Sequence, residues 1–418
     1  MSLALTPDER AIAAGEAGDG AGMAMRIVAE AARLLGAPHL IPIASAHIDG
    51  ALYHGDSGTL FAERLVDGGA RVAVRSTLNV GALDLTGCSH VRLAEPQRSM
   101  ARRMMDAYAA LGCETSWTCA PYQAGHRPSP GTDVAWGESN AVVFCNSVLG
   151  ARTNRYGDFL DIACAIVGRA PFYGLHDTAN RRAEFVFDLS GLGSSLLAQE
   201  HIWPVLGSLY GREAGTAIGV VAGVDRHPGE DALKAFGAAA ASSGAVGLFH
   251  VAGVTPEAAD VAAASGGKAP RRVIAVTPQM AAAAMRELST ASRDASIDAV
   301  AIGSPHLSQG EFDRLEALIA GRKLAVPFYA CTGRHVLKTL DATGQRLRLE
   351  KAGVTIVADT CVVVTPMLPD VKGVLMTNSG KFAHYAPANT GYAVTYGSMT
   401  DCVESALTGK YMLTELTA

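Results

Sequence analysis

The sequence predicts an α/β protein with parallel sheets, and its second half gives the clearest evidence. Beyond about residue 216, short apolar segments rich in β-branched residues alternate with segments of helix-forming residues. The predicted strands are Ala217–Ala222, Ala245–Val251, Arg272–Val276, Ala299–Ile302, Leu324–Ala330 and Val354–Val364. The predicted helices are Ala232–Ala241, Pro256–Ala264, Pro278–Leu288, Gln309–Leu318 and Val336–Leu340. This alternation is typical of parallel strands joined by right-handed helical crossovers.

The first half predicts three helix–strand units, each of which ends in a polar loop. The predicted helices are Ala21–Leu35, Gly58–Val66 and Gln97–Leu111. The strands that follow are Leu40–Ala44, Arg71–Arg75 and a segment that ends at Thr118–Tyr122. The first two strands lead into the loops Ser45–Gly50 and Ser76–Gly81. Because ligands of α/β proteins bind beyond the carboxyl ends of the strands, these loops are candidate binding elements.

The length of the chain requires more than one domain. A single compact core rarely extends beyond about 250–300 residues, and this chain has 418. Turn-forming residues cluster between Gly207 and Gly215, which places the expected boundary between residues 1–210 and 211–418. The second part divides further into residues 211–320 and 321–418 as two expected subdomains.

Composition excludes several classes of protein. Hydrophobic residues make up 49% of the chain, charged residues 18%, and the net charge is -5, as in a packed globular enzyme. No concentrated basic segment predicts a nucleic-acid partner. The sequence has neither a secretory signal nor an apolar run of about 18 residues, so a cytoplasmic protein without a membrane span is expected.

Three of the eight cysteines stand out by position. Cys331 follows a predicted strand and opens a helix, Cys361 lies in or beside another strand, and Cys119 occupies a similar place in the first half. A thiolate is favoured at a helix N-terminus, which suits metal binding and nucleophilic catalysis. The spacing matches neither a zinc ribbon nor a ferredoxin. The spacing therefore leaves two interpretations open, metal ligands and small buried hydrophobes.

Several polar residues are candidates for substrate contact. Lys381 follows a glycine that permits close backbone approach, and its ammonium could bind a carboxylate. Arg155 is either a carboxylate fork or a structural partner of Asp158. His47 and His384 are either proton donors or structural histidines.

Three further polar residues would have ordinary structural roles if they do not contact substrate. Ser139 would be the N-cap of an apolar helix with Glu138 as a solvated neighbour, and Asn79 would form an Asx turn.

Long motifs identify a family for the whole chain. They are Ser139-Asn140-Ala141, Gly150-Ala151-Arg152-Thr153-Asn154-Arg155, Asp359-Thr360-Cys361, Thr377-Asn378-Ser379-Gly380-Lys381 and Ala383-His384-Tyr385-Ala386-Pro387. With these motifs the chain resembles the large subunit of the aconitase X family. The resemblance implies an aconitase-like α/β fold with several domains around a central cleft.

The resemblance also implies a cofactor. The positions that match the family's cluster ligands are Cys119, Cys331 and Cys361, which would hold an iron–sulfur cluster of the [2Fe–2S] or [4Fe–4S] type. The other five cysteines are expected to be buried hydrophobes, and Cys88 differs from the other four in that it follows a polar loop. Three protein ligands would leave iron a coordination position for substrate, where it acts as a Lewis acid.

The family's site residues are carried over by position. The implied catalytic residues are Lys381, Glu138 and Ser139. The substrate-binding set consists of Gly50, Asn79, Arg155, Ser379 and His47. Aconitase-like enzymes also use a small swivelling domain that supplies a serine base. Because no segment of this sequence matches it, a separate small subunit is the expected partner.

Two activities of the family compete, dehydration of cis-3-hydroxy-L-proline to Δ1-pyrroline-2-carboxylate and dehydration of mevalonate 5-phosphate. The archaeal pattern for the phosphorylated substrate has Gly-Val-Ser after the first strand and Asn-Pro after the second. Here the residues are Gly50-Ala51-Leu52 and Asn79-Val80. Because Leu52 lacks the hydroxyl that would donate to a phosphate, the small hydroxy acid cis-3-hydroxy-L-proline is the expected substrate.

Two readings of other classes stay open. One is a non-catalytic iron–sulfur regulatory protein, which the acidic balance disfavours if it acts on RNA. The other is a hydrolase that uses Cys331 or Cys361 as nucleophile with His335 or His384.

Overall fold

A computed structural model describes residues 3–87, 89–369, 372–414 and 416. The contacts between residues divide the chain into two compact units. The first consists of Met1–Leu83 and Leu93–Arg181, and the second of Asp84–Arg92 and Arg182–Ala418. Among the described residues, no helix combines the length and the apolar character that crossing a bilayer requires.

The first unit contains a small parallel sheet surrounded by helices. Its elements are α1 (Pro7–Ala14), α2 (Asp19–Leu34), β1 (Leu40–Pro42), β2 (Ser45–Ile48), α3 (Asp56–Asp67), β3 (Arg75–Leu78), α4 (Glu95–Ala110), β4 (Ala135–Trp136), α5 (Ser139–Ser147), α6 (Leu160–Val167) and β5 (Arg169–Pro171). The three parallel strands lie in the order β3-β2-β4, and β1 pairs antiparallel with β5. The carboxyl ends of β2, β3 and β4 therefore meet at one edge.

The predicted loop Ser45–Gly50 is wrong in its first part, because Ser45–Ile48 forms the central strand β2. All four residues of β2 are buried, and its polar side chains lie inside the unit. The second predicted strand is also displaced, since β3 begins only at Arg75. The third strand is β4 and not the segment before Thr118–Tyr122, which touches β3 through an isolated bridge between Glu114 and Thr77.

The second unit contains two parallel sheets. Its strands are β6 (Phe185–Asp188), β7 (Gly219–Ala222), β8 (His250–Val251), β9 (Arg272–Ala275), β10 (Ala299–Leu307), β11 (Phe328–Thr332), β12 (Val354–Ala358), β13 (Val374–Thr377) and β14 (Ala393–Tyr396). Its helices are α7 (Gly193–Leu197), α8 (Ile202–Ala214), α9 (Glu230–Ser243), α10 (Val261–Ala264), α11 (Pro278–Glu287), α12 (Gln309–Ile319), α13 (Arg334–Ala342), α14 (Gln345–Ala352), α15 (Gly380–Thr390) and α16 (Met399–Thr408). The strand orders are β8-β7-β6-β9 and β12-β11-β10-β13-β14. The parallel α/β class expected from the sequence is confirmed.

The two units meet in the sequence at Arg181 and Arg182, about 30 residues before the expected boundary at 210. The reason is β6, which is an interior strand that pairs with β7 on one side and β9 on the other. A boundary at residue 210 would separate β6 from the sheet in which it is hydrogen-bonded.

The five-stranded sheet places two of the predicted cysteines at its carboxyl edge. Cys331 lies in β11, and Cys361 follows the end of β12 by three residues. Gly303 in β10 has a φ of 93° and packs on the Cys331 backbone. A Cβ at Gly303 would lie 2.2 Å from the Cys331 carbonyl oxygen, so only glycine fits there.

Candidate active site

At the carboxyl edge of the first unit's sheet, Asn79 connects the ends of two strands. It follows β3, and its side-chain Nδ2 donates a hydrogen bond to Asp49 Oδ1 at 2.5 Å. Its backbone N–H donates to the Ile48 carbonyl at 2.9 Å. The Asn79 Oδ1 atom is buried and has no hydrogen-bond partner among the described residues. This arrangement is not the local Asx turn that was the ordinary alternative.

The backbone of the loop after β2 is held by hydrogen bonds to a buried carboxyl group. Asp161 Oδ2 accepts hydrogen bonds from the backbone N–H groups of Asp49 at 2.6 Å and Gly50 at 3.3 Å. Burial raises the pKa of Asp161 to about 8, and the hydrogen bond from the Asp49 backbone opposes the rise. A Cβ at Gly50 would lie 2.8 Å from the Tyr108 hydroxyl. The loop therefore has a fixed path at the predicted substrate-binding glycine.

Glu138 and Ser139 begin helix α5, but with roles that differ from the ordinary expectation. Glu138, and not Ser139, is the N-cap, and its carboxylate accepts a hydrogen bond from the Ala141 N–H at 2.7 Å. The Ser139 hydroxyl donates to Glu138 Oε1 at 3.1 Å, and both residues are buried. Glu138 has a φ of 69°, which is unusual for a residue other than glycine. The turn thus holds a carboxylate and a hydroxyl together at the end of β4.

His47 lies in the interior of β2 and is hydrogen-bonded to the neighbouring strand. Its Nδ1 is 2.8 Å from Thr77 Oγ1, and the same oxygen is 2.8 Å from His126 Nδ1. Burial, followed by the charge of His126, lowers the pKa of His47 to about 3, while the Glu138 carboxylate acts in the opposite sense. Sequence reasoning missed Thr77 and His126, because neither belongs to a recognisable motif. At neutral pH the His47 ring carries no charge.

Arg155 and Cys119 are the remaining predicted residues of the first unit. Arg155 is exposed, as is Asp158. Cys119 is buried, and its carbonyl accepts a hydrogen bond from Asn140 Nδ2 at 2.9 Å. Asn140 is the second residue of α5, so Cys119 is joined to the helix that Glu138 caps.

In the second unit, the segment that carries Cys361 is anchored by charged side chains. Arg334 Nε donates to Asp359 Oδ1 at 2.5 Å, and Arg334 Nη2 donates to Asp359 Oδ2 at 2.8 Å. The Leu85 N–H also donates to Asp359 at 3.2 Å, and Asp84 accepts from the Ala358 N–H at 2.9 Å. Burial raises the pKa of Asp359, and the Arg334 guanidinium opposes the rise.

Ser379 and Lys381 lie at the start of α15, directly after β13. The Ser379 hydroxyl accepts from the Phe382 N–H at 3.0 Å and donates to the Ser304 carbonyl. Lys381 is half-buried in the first turn of the helix. Burial lowers the pKa of His306 to about 3, and the charge of Lys381 contributes to the shift. His306 was not predicted; its Nε2 is 3.3 Å from the Thr360 carbonyl oxygen in the Cys361 segment.

A cavity of about 630 Å³ reaches Ser379 and Gly380 within the second unit. It is also lined by Lys234, Glu311 and Arg226. Lys234 is buried and hydrogen-bonded to Glu311 at 2.5 Å, so its charge is already compensated. The cavity gives small molecules access to the start of α15.

The remaining described cysteines are buried thiols. Burial raises the pKa of Cys113 to about 12, and it also raises the pKa values of Cys145, Cys164 and Cys402. These four groups are therefore held as neutral thiols. Cys88 lies outside the described residues.

Cys331 and Cys361 carry thiols, the donors that hold iron–sulfur clusters, and both lie at the carboxyl edge of one sheet. Cys119 belongs to the other unit. Among the described residues, no three His, Cys, Asp or Glu side chains are grouped so that they could hold a metal ion.

Three family models match the chain in succession. They are the aconitase X first domain at residues 2–179, the second domain at 183–286 and the third domain at 297–408. The first match ends two residues before the end of the first structural unit at Arg181.

Curated proteins and a solved structure agree with these matches. A cis-3-hydroxy-L-proline dehydratase of Pseudomonas aeruginosa is 43% identical over 96% of this chain and 70% of its own length. A protein of the same name from Hypocrea jecorina is 38% identical over 98% of this chain and 70% of its own. The phosphomevalonate dehydratase large subunit of Methanothermobacter thermautotrophicus is 36% identical over 91% and 93%.

The crystal structure of Thermococcus kodakaraensis aconitase X in its holo-form superposes with a TM-score of 0.87. It is 32% identical, and the match covers 97% of this chain and 100% of that one. The chain therefore belongs to the aconitase X family.

Proposed function

We propose that this chain is the catalytic part of a hydro-lyase that converts cis-3-hydroxy-L-proline to Δ1-pyrroline-2-carboxylate. The observation that carries the proposal is the order of its relatives. The two proteins named cis-3-hydroxy-L-proline dehydratase are 43% and 38% identical to it, whereas the proteins named phosphomevalonate dehydratase large subunit are 36% to 32% identical. The buried apolar Leu52 beside Gly50 supports the same choice, because it offers no hydrogen bond to a phosphate.

The residues proposed to hold the cofactor are Cys119, Cys331 and Cys361. Their support is the family match and, for the latter two, burial at the carboxyl ends of neighbouring strands. An iron–sulfur cluster of either the [2Fe–2S] or the [4Fe–4S] type would supply Lewis-acid assistance to the departure of hydroxide.

The side chains of the chain would bind and orient the substrate. Dehydration removes the proton on C2 and the hydroxyl on C3, which gives an enamine that tautomerises to the Δ1 imine. Negative charge builds toward the carboxylate as the C2 proton leaves. A lysine ammonium on that carboxylate stabilises the developing charge more than the ground state, and this is the role proposed for Lys381.

The first unit would contribute the polar contacts of the substrate. Asn79 Oδ1 is a buried acceptor without a partner in the described chain, suited to a substrate N–H or O–H group. Glu138 and Ser139 form a hydrogen-bonded carboxylate and hydroxyl at the same edge. Gly50, Ser379, Arg155 and His47 complete the proposed binding set.

The proposed partner is a separate small subunit with a swivelling domain that supplies the base. The phosphomevalonate dehydratases that match over 93% to 99% of their length are named as large subunits. The two cis-3-hydroxy-L-proline dehydratases, by contrast, are matched over 70% of their length. Both facts are consistent with a further segment that completes the enzyme.

Turnover assays on two substrates test the proposal. The chain, purified anaerobically and combined with the small subunit of its own organism, should form Δ1-pyrroline-2-carboxylate from cis-3-hydroxy-L-proline. Without the small subunit, its rate should be lower by a large factor. Preference for mevalonate 5-phosphate would show that the substrate is wrong, and full activity of the chain without the small subunit would refute the role of the partner.

A further inference from the structure

Three buried side chains of the first unit form a continuous hydrogen-bonded row, His47–Thr77–His126. The Thr77 hydroxyl lies 2.8 Å from Nδ1 of each histidine. His47 and Thr77 are paired positions of the parallel strands β2 and β3, so the sheet register itself brings them together. The relative exposures of the three residues are 0%, 2% and 2%, so the row is shielded from water.

Both rings also pack near the same aromatic side chain. The ring of Trp136 lies 5.6 Å from that of His47 and 4.8 Å from that of His126, measured between centroids. Trp136 is buried in β4, the strand on the other side of β2. Trp136 is therefore a common neighbour of both imidazole rings.

The single proton of the threonine hydroxyl decides how the row is arranged. A hydroxyl can donate one hydrogen bond and accept others. Thr77 Oγ1 has these two ring nitrogens as its hydrogen-bond partners in the described residues. The buried hydroxyl proton and both ring nitrogens are therefore all satisfied only if Thr77 donates to one Nδ1 and accepts from the N–H of the other.

Both histidines are neutral, so each carries one ring proton. Burial, and after it the charge of Arg75, lowers the pKa of His126 to about 4, and burial lowers the pKa of His47 to about 3. The Nε2 atoms of both rings are buried and lack a hydrogen-bond partner among the described residues.

We propose that Thr77 is a positioning residue that holds His47 and His126 in opposite neutral tautomers. Through Thr77, His126 is in turn a positioning residue for His47. One ring then presents an Nε2–H donor, and the other presents a bare Nε2 acceptor. Because the threonine proton links the two, the ring nitrogen of His47 that bears the proton is set by His126 across the row. The consequence for catalysis rests on the function proposed above, whereas the tautomers themselves do not.

The tautomers can be measured directly by ¹⁵N NMR of protein labelled at the histidine ring nitrogens. Spectra of the His47→Gln and His126→Gln variants assign the two rings. At pH 7 one of the two residues should show a protonated Nδ1 and a bare Nε2, and the other should show the reverse. The same tautomer in both rings, or a doubly protonated ring, would overturn the proposal.

Two substitutions of Thr77 and one control separate coupling from packing. Thr77→Ser keeps the hydroxyl and should keep the opposite tautomers, whereas Thr77→Val removes it and should release at least one ring from its tautomer. Thr59→Val is the matched control, because Thr59 is equally buried and its hydroxyl donates to the Met100 carbonyl in the same unit. Unchanged histidine shifts in Thr77→Val would refute the coupling.

Kinetics of the complete enzyme give the functional readout. Thr77→Val should lower kcat at least about tenfold with KM within about twofold, since a misplaced proton impairs acid–base steps. Thr77→Ser should restore most of kcat, and Thr59→Val should change neither constant. Equal kcat losses in Thr77→Ser and Thr77→Val would contradict the positioning role. Opposite tautomers in a chain that does not dehydrate cis-3-hydroxy-L-proline would leave the coupling standing and refute the proposed function.

Discussion

Asp359, which follows the end of β12 and lies two residues before Cys361, forms an ion pair with Arg334. The Asp359 side chain is 0% exposed and receives two hydrogen bonds from the guanidinium. Asp359 also has a φ of 63°, in the left-handed region that non-glycine residues adopt rarely. We expect that Arg334→Ala loosens this segment, because the carboxylate loses the charge that compensates its burial.

The expected magnitude follows from the burial of the partner. Removing one member of a buried ion pair costs about 3–5 kcal/mol, since the other charge is left uncompensated. The Arg334 side chain is 39% exposed, so water replaces part of its effect. A loss of about 3 kcal/mol in the free energy of opening is therefore expected, at the lower end of that range.

Arg322 provides a matched control in the same unit. It also forms two hydrogen bonds with a carboxylate, that of Glu404, but the two side chains are 45% and 39% exposed. Exposed pairs contribute about 0–1 kcal/mol, so Arg322→Ala should change stability little.

Amide hydrogen exchange, read by mass spectrometry, measures the local effect. In a peptide that covers Val354–Ala358, exchange in Arg334→Ala should be faster by a factor on the order of one hundred, since 1.4 kcal/mol corresponds to tenfold. In Arg322→Ala the same peptide should exchange as in the wild type. Equal rates in the two variants would refute the argument that burial of Asp359 makes the pair important.

Two further predictions concern the proposed site. Lys381→Ala should lower kcat/KM by at least about a hundredfold, on the order of 3 kcal/mol at the transition state. Lys338→Ala, at an exposed lysine, should leave kcat/KM unchanged. Near-wild-type kinetics in Lys381→Ala would exclude the carboxylate contact. The free energy of opening of Leu160–Val167 should fall as pH rises from about 4 to about 8, because the folded chain keeps the Asp161 proton that the unfolded chain releases. Asp161→Asn should abolish that fall, as measured by hydrogen exchange corrected for its intrinsic pH dependence; the same slope in both proteins would show that another group titrates.

Much of the second half of the chain was predictable because most of the predicted strands are buried on both faces, with β9 as the exception because it is largely exposed. Such strands are continuous apolar segments, and β7, β9, β10, β11 and β12 all lie within or overlap the predicted ones. The helices between them were predicted for a different reason, because they are segments of helix-forming residues. Packing and local periodicity agree in this part of the chain.

The first half was less predictable because its central strand contains polar residues. Ser45 and His47 in β2 are buried, and Nδ1 of His47 is hydrogen-bonded to Thr77, which lies 30 residues away in the sequence. A long-range hydrogen bond of this kind leaves no local pattern. Strand β4 has only two residues, which is too short for any periodic signal.

The candidate site shows the same division between local and long-range information. The turn formed by Glu138 and Ser139 and the start of α15 at Ser379 follow motifs that are continuous in sequence. Asp161 and His126, which hold the loop and the row at the sheet edge, come from distant segments. Only the folded chain shows that they belong to the site.

The iron and sulfide content of the anaerobically purified chain is the most direct test of whether its thiols hold the iron–sulfur cluster of a hydro-lyase. Wild-type protein should contain both elements and show visible absorption that dithionite bleaches. Cys331→Ala should lose them, whereas Cys402→Ala, at a cysteine held as a neutral thiol, should retain them, with folding of both checked by circular dichroism. Wild-type iron content in Cys331→Ala, or a colourless chain that still dehydrates cis-3-hydroxy-L-proline, would contradict the proposed site.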